Sequence, residues 1–199
     1  MVSIDVIKKE LKHRLSPKRF QHSLGVAEEA ARLANRYGAN PEKAYLAGLI
    51  HDCAKEIPAK DVVKLLTERF GVTCDEVALQ TPWILHGPLG ACVAKQEFGI
   101  EDPEILDAVW YHTTGKAGME LFSKIIYIAD YIEPNRTYPD VEVLRTLTYE
   151  DIDRAILFGI DYTIGELVKR KTVIHPDTMH CRNDILMKMT AKERNGDNL

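Results

Sequence analysis

The sequence predicts an all-α fold from three observations. Apolar residues recur at helical rather than strand spacing, polar residues followed by proline open segments, and glycines close them. In chain order, Ile4, Ile7, Leu11 and Leu15 step by three and four and line one helix face. Ser16-Pro17, Asn40-Pro41 and Asp102-Pro103 each set a short hydrogen-bond acceptor before a proline, whose missing N–H costs nothing in a first turn. Gly38, Gly71, Gly99 and Gly115 fall where helices stop, supplying a left-handed terminal residue at little steric cost. These marks predict helices near 17–37, 41–55, 59–70, 87–98, 103–113, 119–132, 149–171 and 177–190. Thr148 with Asp151 reads as a capping-box-like start for the helix over 149–171, and Ile152, Ile156, Ile160, Ile164 and Leu167 give it an apolar stripe. That stripe can bury within a monomer or pair across a homodimer. Strand-type alternation is nearly absent, VTCDEVAL at 72–79 being the weak candidate.

A chain of 199 residues, 45% hydrophobic and 28% charged, can bury one good core. We read a single domain over residues 1–190 and a polar C-terminal tail, 191–199, that frays. The formal net charge of −4 disfavours a nucleic-acid partner, which calls for clustered Lys and Arg. No apolar run approaches the roughly 18 residues needed to cross a bilayer, so no membrane partner is expected. The N-terminal MVSIDVIKKELKHRL is charged throughout, unlike a signal peptide. Cys53, Cys74, Cys92 and Cys181 are scattered with no CxxC pair, as expected for reduced thiols in a cytoplasmic protein.

The chemistry lies in a spaced set of histidines and aspartates. His51-Asp52 ends the apolar run AYLAGLIHDCAKEI, near the core, where a charged pair needs a partner. His22 sits in a helix faced by Phe20, Leu24, Ala27, Ala31 and Ala34, and Asp130 sits in KIIYIADYIEP, an expensive place for a lone carboxylate. His86 (WILHGPLG) and His112 (AVWYHTTG) each lie beside large apolar side chains. Any one of these histidines reads better as a hydrogen-bonded core residue. Together, imidazoles and carboxylates on five buried helical faces suit one or two divalent transition-metal ions such as Fe(II), Mn, Co, Ni or Zn.

The order His … His-Asp … His … His … Asp resembles the HD-domain metal-dependent phosphohydrolases. The stretches RFQHSLGVA (19–27), LAGLIHDCAKEIP (46–58), ILHGPLGA (84–91), WYHTTG (110–115) and IIYIADYIEPNR (125–136) resemble one branch more closely. That branch is the bacterial symmetrical bis(5'-nucleosyl)-tetraphosphatases, also called diadenosine tetraphosphate hydrolases. The resemblance implies a helical bundle with the metal site in its core, and symmetrical hydrolysis of diadenosine tetraphosphate and related dinucleoside polyphosphates to two ADP. It implies that His22, His51, Asp52 and Asp130 bind one metal, that His86 and His112 bind a second with Asp52 shared, and that Fe(II) is favoured.

The same resemblance favours Lys55, a helical turn after Asp52, and Arg136 as partners of the phosphate oxygens. We add Arg19, three residues before His22, on spacing alone, and Thr113, Thr114 and Gly115 as hydroxyl and N–H donors to phosphate. Asp52 and Lys55 are then the catalytic candidates. Two alternatives remain: a mononucleotide phosphohydrolase with the same metal core, and a nucleotide-binding regulatory protein with little turnover. His175, His180 and Cys181 do not stack on one helix face and are read as ordinary side chains around a helix start at Pro176. His13 is read as solvated, and Trp83, Trp110 and Tyr111 most simply as core aromatics, of which an exposed one could stack on adenine.

Overall fold

A computed structural model describes residues 2–196 of the chain, and no strand occurs among them. The helices are α1 (Ile4–Arg14), α2 (Pro17–Tyr37), α3 (Pro41–Ile50), α4 (Ala59–Lys64), α5 (Glu76–Gln80), α6 (His86–Phe98), α7 (Pro103–Tyr111), α8 (Leu121–Ile132), α9 (Val141–Glu150), α10 (Ile152–Lys169) and α11 (Pro176–Gly196). A π turn, Leu65–Arg69, extends α4, and a 3-10 turn, Pro82–Ile84, precedes α6. Ser16, Asn40 and Asp102 cap as read, accepting from the N–H groups of Arg19 (3.4 Å), Lys43 (3.0 Å) and Glu104 (2.9 Å). Gly38, Gly71, Gly99 and Gly115 are left-handed, with φ of 76°, 67°, 65° and 65°. No helix of the described residues is long and apolar enough to cross a membrane.

The bundle is organised around α2, α3, α7 and α8. α2 packs on α3 and α8, and α7 packs on α3, α6 and α8. Two glycines set the closest approaches. A Cβ on Gly48 would stand 2.8 Å from Ala27 Cα and 2.9 Å from Val26 O, so α3 lies backbone to backbone against α2. A Cβ on Gly87 would stand 2.6 Å from Trp110 O, so the start of α6 lies directly on the end of α7. These contacts bring His51 to His22 and His86 to His112. Further out, α10 packs on α8, α9 and α11. Of its stripe, Ile152, Ile156 and Ile160 are buried, while Ile164 and Leu167 are half-buried. In α1, Ile7, Leu11 and Leu15 are buried and Ile4 is exposed.

Several expected boundaries differ, each for a physical reason. The helix expected over 149–171 is two helices. Asp151 is extended (φ −150°) and its carboxylate caps α10 through Asp153 N (3.0 Å) and Arg154 N (3.1 Å). Thr148 is not the cap; it bonds back to Leu144 O (2.7 Å) inside α9. The weak strand at 72–79 is instead a lead-in to α5, capped by Asp75 on Ala78 N (2.8 Å). The helices expected to reach 55 and 113 stop at Ile50 and Tyr111. After Ile50 the chain continues in tighter turns, with Cys53 N on Ile50 O (2.9 Å) and Lys55 N on Asp52 O (3.0 Å), so Lys55 still lies one turn beyond Asp52. α11 runs through the first part of the expected tail to Gly196, and 197–199 lie outside the described residues.

The Gly48→Val variant must push α3 off α2. Overpacking of this kind costs about 1–3 kcal/mol, at roughly 2–4 °C of midpoint per kcal/mol for a chain of this size. Thermal unfolding should show a midpoint lower by several degrees, and an unchanged midpoint would mean that the contact is slack.

Candidate metal centre

Five helices deliver the six ligand candidates. His22 comes from α2, His51 and Asp52 from the end of α3, His86 from the start of α6, His112 from the end of α7 and Asp130 from the last turn of α8. All are buried except Asp130, which is partly exposed. Asp52 is the hub. Its Oδ2 lies 3.6 Å from His22 Nε2 and 3.4 Å from His51 Nε2, and its Oδ1 lies 3.1 Å from His86 Nε2 and 3.5 Å from His112 Nε2. Asp130 Oδ1 lies 3.1 Å from His22 Nε2.

The opposite nitrogen of each ring sets the tautomer. His51 Nδ1 faces Gly48 O (2.6 Å), His86 Nδ1 faces Trp83 O (2.5 Å) and His112 Nδ1 faces Val109 O (2.7 Å). His22 Nδ1 faces the Glu133 carboxylate (3.1 Å). Carbonyl and carboxylate oxygens only accept, so each Nδ1 carries the proton and each Nε2 presents a lone pair to the centre. In α3 and α7 the ring takes a carbonyl that a continuing helix would use, which is why both helices end at these histidines.

Lone pair therefore faces lone pair. His86 Nε2 and His112 Nε2 are 3.0 Å apart, and His22 Nε2 and His51 Nε2 are buried without a hydrogen-bond partner. His86 does not supply a proton to this gap near neutral pH, because burial pushes it down to about 4 despite the pull of Asp52. Burial alone would raise the Asp52 and Asp130 carboxyls. Facing rings in their N–H-donating, protonated form, with Arg136 at Asp130, outweigh it and hold both well below the usual carboxylate range, a place that a bound cation would equally fill. A buried set of imidazole lone pairs and ionised carboxylates fits a divalent cation. Two groups have ligand atoms within 4.8 Å of one another: His22, His51 and Asp130, and His51, Asp52 and His112.

Three cations surround the centre. Arg19 Nη1 donates to Asp52 Oδ2 (2.8 Å). Arg136 bonds the Asp130 carboxylate and donates through Nε to Asp130 O (2.8 Å). Lys55 Nζ lies 3.2 Å from His86 Nε2, and burial lowers its pKa against the opposing pull of Asp52 and Asp130. Lys55, His86, His112, Asp130 and Arg136 line a cavity of about 330 Å³ together with Trp83, Ile84, Leu167 and Val173.

Thr113 and Thr114 also line this cavity. Gly115 does not; its N–H is donated to Tyr111 O (2.8 Å) and its Cα faces Cys181 Sγ. Arg19 lies on a second groove, beyond His22. Trp83, read as a core aromatic, is 53% exposed at the cavity. Among the described residues no metal-binding group forms around His175, His180 and Cys181: His175 pairs with Asp75 (3.0 Å) and His180 is exposed.

Glu133 is the residue that sequence reasoning missed. Its carboxylate is buried, with Oε1 on His22 Nδ1 (3.1 Å) and Oε2 accepting from Asn135 N (2.8 Å) and Nδ2 (2.9 Å). The signal was its place three residues after Asp130, on the same helix face of an apolar segment.

An all-helical bundle with this centre defines a His/Asp metalloprotein with a cation-lined ligand cavity. The HD domain family matches residues 19–135. Symmetrical bis(5'-nucleosyl)-tetraphosphatases are similar over most of the chain. The one from Halalkalibacterium halodurans is 40% identical over 178 residues, 89% of this chain and 94% of that protein. The one from Bacillus subtilis is 39% identical over 168 residues, 84% of this chain and 89% of that protein. A crystal structure from Clostridium acetobutylicum, described as a predicted HD superfamily hydrolase involved in NAD metabolism, aligns with a TM-score of 0.92 at 40% identity. It covers 94% of this chain and 99% of that one. The chain belongs to the HD-domain family, in its branch of symmetrical bis(5'-nucleosyl)-tetraphosphatases.

Removing an outer carboxylate behind a ligating histidine typically weakens metal binding about 10–100-fold. A Glu133→Ala variant should lose metal affinity on that scale in calorimetric titration, with Glu133→Gln retaining more because its amide oxygen still accepts from His22. Equal affinity in all three proteins would remove Glu133 from the account.

Proposed function

We propose that this chain hydrolyses diadenosine tetraphosphate and related dinucleoside polyphosphates symmetrically, giving two ADP, as a single catalytic domain over residues 1–190. The observation that carries the reading is the buried convergence of four imidazole lone pairs on Asp52, with Lys55, Arg19 and Arg136 around it. The names of the relatives supply the substrate class. In this proposal His22, His51, Asp52 and Asp130 hold one divalent ion, and His86 and His112 hold a second with Asp52 shared. Fe(II) is favoured, and Mn, Co, Ni or Zn suit the same donors. When bound, such ions supply Lewis acidity and make water acidic enough to attack phosphorus near neutral pH.

The chain's own residues do the rest. Lys55 and Arg136 sit where non-bridging oxygens of the tetraphosphate would lie, and they neutralise charge that builds during attack. Arg19 fixes Asp52 through its 2.8 Å bond, keeping both carboxylate oxygens turned to the histidines. The Thr113 and Thr114 side chains lie on the cavity wall beyond His112 and border the phosphates. Gly115 is left out of the substrate contacts because its N–H is spent on Tyr111 O. The leaving ADP is a nucleoside diphosphate whose terminal phosphate, like a phosphate monoester, has a pKa of about 6–7, so it departs without a strong general acid. The four free cysteines suit the reducing cytoplasm, where we place the enzyme.

Metal-loaded protein incubated with diadenosine tetraphosphate should give ADP as the sole nucleotide product on chromatographic separation. ATP plus AMP would overturn the reading, and faster turnover of a mononucleotide would favour a nucleotidase instead.

A further inference from the structure

Symmetrical cleavage breaks the middle of the substrate, so an equal nucleoside diphosphate half must extend to either side of the reacting phosphorus. Two depressions border the metal centre, one lined by His86, His112 and Asp130 and the other by His22. The first is the cavity already described, reached past Lys55, His86 and His112, with an apolar and aromatic far wall. The second is a groove of about 560 Å³ on the other side of the centre, reached past His22 and lined by Lys18, Arg19, Gln21, Asn135 and Thr137 among others. Arg136 and Tyr138 line both, so the two lie on either side of these residues. Both volumes fall in the range of small-ligand sites.

The cations follow the same division. Lys55 stands on the cavity side, Arg19 on the groove side, and Arg136 at the junction on Asp130. A polyphosphate bridge laid across the centre would meet one cation on each side and one in the middle. Glu56 also lines the groove, but its carboxylate is engaged by Ser16 N (2.7 Å) and Ser16 Oγ (2.5 Å). The two linings differ in kind. Trp83, Leu167 and the stacked Tyr138–Tyr162 pair (ring centroids 5.6 Å apart) suit the face of a nucleobase. The amides of Gln21 and Asn135, with Lys18, suit a ribose-phosphate and the edge of a base.

We propose that the groove between the start of α2 and the 134–138 segment binds the second nucleoside diphosphate half of the substrate, while the aromatic cavity binds the first. This inference rests on the proposed function and adds where each half lies. It makes the groove the element that distinguishes a dinucleotide from a mononucleotide.

Thr137 and Lys18 are exposed, so substituting them leaves the core untouched. Thr137→Trp should narrow the groove and Lys18→Glu should reverse its charge. In metal-loaded protein each should lower kcat/KM for diadenosine tetraphosphate by about tenfold or more. Calorimetric titration with ADP should give two molecules per chain in the unmodified protein and one in Thr137→Trp, at unchanged metal content. Unchanged kcat/KM in both variants, or a single ADP site in the unmodified protein, would overturn the proposal. A failure of the functional reading would look different, because the unmodified protein would then give products other than ADP alone.

Discussion

Four imidazoles and two carboxylates are turned toward one another in the core of this bundle, and the Nε2 atoms of His22 and His51 are buried there without a hydrogen-bond partner. Each Nδ1 is committed outward, to Gly48, Trp83 and Val109 carbonyls or to Glu133, so no ring can turn over to relieve its neighbour. Protonation is no remedy for His86, which burial keeps neutral until about pH 4. One or two divalent cations would satisfy the facing groups, and the free energy of their binding to the folded chain would become free energy of folding. The arrangement also shapes the backbone, since α3 and α7 both end where a histidine ring captures a carbonyl three residues back.

Close helix packing makes that convergence possible. Gly48 against Ala27 and Gly87 against Trp110 bring backbones together at distances that any side chain would prevent. As a result, residues far apart in sequence present ligand atoms within a few ångströms of Asp52. Arg19 donates to the buried Asp52 carboxylate and Arg136 to that of Asp130, and both carboxyls lie well below the usual range. Arg19 and Arg136 thus pair with Asp52 and Asp130, while Lys55 faces the cavity beside His86.

Much of this was legible in the sequence, and the reason is locality. Ser16-Pro17, Asn40-Pro41 and Asp102-Pro103 carry their caps within four residues, so their helix starts survive folding unchanged. The ligand candidates stood out because each polar residue interrupts an apolar segment. What escaped depends on contacts across the fold. Glu133 acts on a histidine 111 residues away. Whether Trp83 is core or cavity wall depends on where α10 and the loop after it lie. The split at Asp151 was hidden because Thr148 and Asp151 both fit a cap pattern, and only the extended backbone at Asp151 decides between them. Gly115 was read correctly as a helix stop and incorrectly as a phosphate donor, since stopping the helix uses its N–H.

Two ligand-sized depressions that border the centre and share Arg136 and Tyr138 give the fold a logic suited to an extended anion cleaved at its middle. All of it depends on the centre holding a cation, so the most direct measurement is an anaerobic titration of metal-free protein with Fe(II), followed by thermal unfolding. The account predicts saturable binding of one or two ions per chain and a raised unfolding midpoint, both lost in Asp52→Ala. Absence of binding with an unchanged midpoint, or retention of both in that variant, would contradict it.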